Sequence, residues 1–118
     1  MKRIKNEQVM KLIESLKTAA IEKNVPLWKR IATELESPSR SKRELNVYKI
    51  EKFAKEGEIV VVPGKVLGSG ALSKKITVAA LSFSDSALDK IKSNKGEAIS
   101  IADLLAKNPQ GSKVRIMG

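Results

Sequence analysis

Four consecutive β-branched residues, Ile59-Val60-Val61-Val62, constrain this chain most. Such side chains are stiff at χ1 and suit a pleated strand. The run is apolar at every position rather than at alternate ones. It leaves no face for water, so it reads as a buried strand. A buried strand needs covering elements, and the sequence before it supplies amphipathic helices.

Val9, Leu12, Ile13, Leu16, Ala19 and Ala20 recur at spacings of three and four. That stripe predicts a helix, with Lys11, Glu14, Lys17, Glu22 and Lys23 mostly on its other side. Asn24-Val25-Pro26 breaks the chain, and Pro26 suits a first helical position. Leu27, Trp28, Ile31 and Leu35 make the second apolar face, and Ser37-Pro38 stops it. Ser39–Arg43 reads as a basic loop. Asn46 is expected to cap a third helix through Val47, Ile50, Phe53 and Ala54, ended by Gly57.

Beyond the β-branched run, Pro63-Gly64 is expected to turn the chain into a second short strand, Lys65-Val66-Leu67. Gly68-Ser69-Gly70 reads as a flexible loop. Ile76–Leu81 predicts a strand, and Ser84 caps a helix holding Ala87, Leu88 and Ile91. Ala98-Ile99-Ser100 is a brief strand. Ser100 and Asp103 have capping-box spacing and open a helix through Leu105. Asn108–Gly111 ends it, and Val114-Arg115-Ile116 is a last strand candidate. The class is α/β: N-terminal helices, then a compact body. One domain over residues 1–118 is expected, with 1–56 a helical arm and 57–118 the α/β body.

The chain has no Cys and no His. That excludes a disulfide framework, a Cys/His zinc site and the Ser-His-Asp and Cys-His nucleophile systems. The longest apolar run, Ile59–Pro63, is far short of a membrane helix, and Asn6-Glu7-Gln8 follows the basic start where a signal peptide needs apolar residues. An intracellular protein is expected, with no cofactor and no small-molecule substrate.

Charge then points to a partner. Lys and Arg number 23 against 13 Asp and Glu, for a net charge of +10. Acid-free stretches matter more than totals, because nearby carboxylates cancel a phosphate site. Arg40, Lys42 and Arg43 occupy one such stretch, and Lys65, Lys74 and Lys75 another. Lys113 and Arg115 lie near the end, and Lys2, Arg3 and Lys5 begin the chain. Lys29 and Arg30 are weaker candidates, with Glu34 and Glu36 close by. Each run alone reads as a solvated face; several together in so basic a chain point to a polyanion, bound with release of counterions.

The segment Pro63-Gly64-Lys65-Val66-Leu67-Gly68-Ser69-Gly70 is the sharpest local feature. It fails the Walker pattern, since Val66 follows Lys65 where Ser or Thr is required. It fails the dinucleotide pattern too, since Ser73 stands at the third glycine position. Two readings stay open: a strand–turn–strand with ordinary turn glycines, or a loop whose backbone approaches phosphate.

Trp28, Tyr48, Phe53 and Phe83 are the only aromatics. Trp28 and Phe53 fall on predicted apolar faces and are assigned to the core. So few rings argue against a platform stacking successive bases and favour contact with phosphates, sugars and shape. Asp85 and Asp89 are four apart; they read as acids favouring a helix N-terminal half rather than a metal pair.

Several blocks, in order, carry a resemblance. They are Leu27-Trp28-Lys29-Arg30-Ile31-Ala32, Pro38–Arg43, Leu45–Ile50, and above all Val60–Gly70. Thr77–Ala80, Phe83-Ser84 and Asn108–Ile116 complete the series. From about residue 9 onward the chain resembles the large-subunit ribosomal protein family called L eighteen-e, relatives of bacterial L fifteen. The short length resembles the archaeal form. The resemblance implies an irregular ββα superhelical core and a non-catalytic role. It also implies ribosomal RNA and neighbouring large-subunit proteins as partners, in the cytoplasm and on the ribosome. The Pro-Gly-Lys-Val-Leu-Gly-x-Gly block maps onto Pro63–Gly70, which makes Gly64, Lys65, Gly68, Ser69 and Gly70 candidate RNA contacts. The competing readings are a free-standing nucleic-acid-binding protein, a phosphate-handling transferase and a protein of anionic membrane surfaces. They lack, respectively, a helix-turn-helix reader, a catalytic base and an acid-free amphipathic helix.

Overall fold

The structure, a computed structural model, describes residues 7–36 and 44–117. Two helices come first, α1 (Glu7–Glu22) and α2 (Pro26–Glu36). A three-residue strand β1 (Glu44–Asn46) then leads into α3 (Val47–Phe53). Next come β2 (Ile59–Leu67), β3 (Thr77–Phe83), α4 (Asp85–Ser93) and β4 (Glu97–Ser100). The chain closes with α5 (Ile101–Lys107) and β5 (Val114–Ile116).

All the strand pairs are parallel, and β2 stands inside the sheet. β3 lies along one side of β2 and carries β4 beyond it. The other side of β2 is shared: β5 pairs with Ile59–Val61 and β1 with Lys65–Leu67. The uniformly apolar start of β2 follows from this position, since helices cover both faces of a parallel sheet. On one face Val60, Val62 and Val66 pack with Val47 and Ile50 of α3 and Ala87 and Ile91 of α4. On the other, Val61 and Ala79 pack with Ile13 and Leu16 of α1, Trp28 and Ile31 of α2, and Ile101 and Leu104 of α5. Thus α1 and α2 lie on the sheet, and β1, from the first half of the chain, is one of its strands. The α/β expectation holds.

Pro63-Gly64 does not turn the chain, contrary to expectation. β2 runs straight through it, and the register against β3 slips there: Val62 faces Ala80, yet Lys65 faces Ser82. Three steps on β2 match two on β3, which is a bulge. A bulge is one of the few places inside a sheet where proline, having no N–H to donate, is tolerated.

Caps appear largely where sequence placed them. Ser84 Oγ accepts the Ala87 N–H at 3.2 Å, and Ser100 Oγ accepts that of Asp103 at 3.0 Å. Asn46 differs: it makes no side-chain cap to α3. Its Oδ1 instead accepts the Ser69 N–H at 3.3 Å, tying β1 to the glycine segment. Trp28 is fully buried and its Nε1–H donates to the Pro109 carbonyl at 2.8 Å, fastening α2 to the turn after α5.

Candidate nucleic-acid interface

The glycine segment leaves the carboxyl end of β2 and returns along α3 to the start of β3. Its shape is held by four inward bonds. The Tyr48 N–H donates to the Ser69 carbonyl at 3.1 Å. Lys90 Nζ, from α4, donates to both the Gly68 and the Gly70 carbonyls. Asn94 Nδ2, one turn further, donates to the Leu72 carbonyl. The glycines themselves answer a packing need. A Cβ on Gly68 would fall 2.7 Å from Ser86 Cβ, and one on Gly70 2.3 Å from Tyr48 Cβ. Ser69 and Gly70 remain exposed, while Gly68 is half-buried. Gly64, in the bulge, is buried, so it is not a surface contact as expected.

The cations separate into three kinds. Lys65, Lys75 and Lys113 are exposed, and their ammonium groups make no ion pair with a described residue. Lys29 and Arg30 are likewise exposed on α2. Lys74 is spent inside the protein, a correction to its expected role: Nζ donates to the Glu51 and Ala54 carbonyls at 2.7 and 2.9 Å. Those are orphan carbonyls of the α3 carboxyl end, where a cation is favoured. Arg115 is half-buried and paired with Glu58, Nε at 3.1 Å and Nη2 at 3.4 Å. Arg40, Lys42, Arg43, Lys2, Arg3 and Lys5 lie outside the described residues.

Two carboxylates are set by these arrangements. The Ser73 N–H, then the Ser73 hydroxyl, hold Glu51 below its ordinary value of 4.5, with the Lys74 charge adding to them. The Lys55 N–H, at 2.6 Å, then the Arg115 guanidinium, hold Glu58 low in the same way.

The exposed cations fall at two ends of the sheet. Lys75 and Lys113 precede β3 and β5, at the amino end of the parallel sheet. Lys65 and the exposed Ser69-Gly70 face lie toward its carboxyl end. The nine residues of β2 span roughly 26 Å between these ends at about 3.3 Å per step. Separated cations on a rigid sheet suit a large, folded polyanion better than one small phosphate ligand. No three His, Cys, Asp or Glu side chains come together to hold a metal among the described residues. Among those residues, too, no helix is long and apolar enough to cross a membrane.

Sequence reasoning missed Lys90, Tyr48 and Phe53. Lys90 looks like any polar-face lysine. Phe53 was expected in the core but is 52% exposed. It follows Ile50 by three positions, yet the helix turns Ile50 and Ala54 to the sheet and leaves Phe53 at the rim.

Comparison with known proteins identifies the family. Residues 26–99 match the family described as ribosomal proteins 50S-L15, 50S-L18e and 60S-L27A. A protein of Methanospirillum hungatei is 49% identical over 112 residues, covering 95% of this chain and 93% of its own. One of Archaeoglobus fulgidus is 48% identical, covering 95% and 96%. One of Methanococcus maripaludis is 45% identical, covering 95% and 93%. All three are named large ribosomal subunit protein eL18. Matched from the first turn of α2 into β4, and nearly half identical to such relatives along almost its whole length, the chain belongs to the ribosomal protein family of 50S-L15, 50S-L18e and 60S-L27A.

Proposed function

We propose that the chain is a structural, non-catalytic constituent of the large ribosomal subunit, bound in the cytoplasm to folded ribosomal RNA and touching neighbouring subunit proteins. The carrying observation is the 45–49% identity, over 95% of the chain, to proteins named for that subunit. The geometry supplies a mechanism. Lys65, Lys75 and Lys113 neutralise phosphates at separate points, so the protein bridges RNA elements instead of gripping one strand. Ser69 and Gly70 add a backbone surface kept in shape by Lys90 and Tyr48. Lys29 and Arg30 extend the cationic surface on α2. Lys2, Arg3, Lys5, Arg40, Lys42 and Arg43 add charge in acid-free sequence.

The test is binding to refolded, deproteinised large-subunit RNA over a range of salt. A Lys65→Ala/Lys75→Ala/Lys113→Ala variant is expected to bind more weakly, with a log–log salt slope smaller by about one per lost phosphate contact. A folded triple variant with wild-type affinity and slope would refute the assignment of these lysines.

A further inference from the structure

The two half-exposed rings of α3 are not explained by the lysines or the glycine segment. Trp28 is buried and Phe83 packs partly against the core. The other two aromatics, Tyr48 and Phe53, stand 46% and 52% exposed on one seven-residue helix. They face a groove with a topological origin. β5 pairs with β2 only up to Val61, and β1 only from Lys65. The two strands share one edge of β2 without meeting. Where they part, a groove of about 530 Å³ opens, walled by Glu44, Tyr48, Lys49, Phe53, Arg115 and Met117.

Building on the functional reading above, we infer that this groove receives a single unstacked base of the ribosomal RNA, laid against Tyr48 and Phe53. The groove is of a size that takes small planar ligands. Aromatic faces beside cations are how proteins hold a splayed-out base. Here Lys52 Nζ lies 5.4 Å from the Phe53 ring centre, and Lys49 forms part of the wall. Phosphates flanking a base seated here would pass these two lysines. Arg115 is already matched by Glu58 and Glu44 offsets Lys49 in the wall, so Lys52, beside the Phe53 ring, carries the surplus positive charge that favours an anion. The groove also adjoins the glycine segment. The Tyr48 N–H bonds to Ser69, and Gly70 packs against the Tyr48 Cβ. One RNA strand can thus cross the exposed Ser69-Gly70 backbone and place its next base in the groove. An apolar side chain from a neighbouring protein would use the rings but leave both lysines without a role.

The experiment uses a Tyr48→Leu/Phe53→Leu variant and refolded, deproteinised large-subunit RNA at several salt concentrations. Loss of a stacked base is expected to weaken binding by about tenfold or more at every salt. The salt slope stays at its wild-type value, because no phosphate contact is removed. The aromatic swap Tyr48→Phe/Phe53→Tyr is expected to keep wild-type affinity, and a wild-type urea midpoint for the leucine variant separates the lost stack from damage to α3. Short-wavelength ultraviolet light on the wild-type complex should join a nucleotide to Tyr48 or Phe53. Equal affinity of the leucine variant, or a groove cross-linked to a protein in whole subunits, would overturn the base site and leave the RNA-binding reading standing. Failure of the wild-type chain to bind the RNA at all would overturn both.

Discussion

Gly70 and Gly57 separate two reasons for a glycine. Both have left-handed backbones, φ +96° and +90°. An alanine at either position meets similar backbone strain, about 1–2 kcal/mol. Their surroundings differ. A Cβ on Gly57 has nothing within 4 Å, whereas one on Gly70 falls 2.3 Å from Tyr48 Cβ and 3.1 Å from Tyr48 Cα. Neither Tyr48 atom moves with a rotamer change. The segment must lift off α3 by about an ångström to reach ordinary contact, which strains the Tyr48 N–H to Ser69 bond. Overpacking costs about 1–3 kcal/mol and a weakened hydrogen bond about 1. Gly57→Ala is therefore expected to cost about 1–2 kcal/mol and Gly70→Ala about 3–6. Urea unfolding resolves the gap: at a slope of about 1.5 kcal/mol per molar, the Gly70→Ala midpoint falls about 1–3 M below that of Gly57→Ala. Coincident midpoints would refute the packing argument and reduce Gly70 to an ordinary turn residue.

Lys74→Met is expected to destabilise the fold by about 1–2 kcal/mol, exposing the α3 carbonyls, while the salt slope of RNA binding stays unchanged; a lowered slope would return Lys74 to the interface. Trp28→Phe strands the Pro109 carbonyl and leaves a void, for a loss of about 2–3 kcal/mol in thermal or urea unfolding; a loss under 0.5 kcal/mol, roughly that of a neutral surface change, would contradict the fastening role. Glu51 and Glu58 have folded values below the ordinary 4.5. Their stabilisation is present above that pH and drains as pH falls through the lowered folded values. Glu58→Gln should flatten the acid limb of the stability–pH curve; an unchanged limb would show that the Lys55 and Arg115 contacts do not matter in solution.

What was legible in the sequence follows physical reach. The stripes of α1 and α2 and the caps at Ser84 and Ser100 are local, and they appear in the structure. Pro63-Gly64 misled because the same dipeptide suits a turn or a bulge. The choice rests with β3, more than ten residues away. β1 carries one buried residue, Leu45, in three, too short for any period to show. Lys65, Lys74 and Lys90 are alike as sequence. Only the fold spends the last two on carbonyls and leaves the first to solvent. The candidate surface was thus readable as charge and glycine, while its division between the two ends of β2 and the groove beside α3 needed the strand pairing.

The most direct test of the central claim is sedimentation of the tagged chain from a cell lysate of its own organism through a sucrose gradient, at moderate and then high salt. The account predicts migration with the large subunit at moderate salt and release only at high salt, as phosphate contacts are screened. Migration at the top of the gradient under both conditions would contradict it.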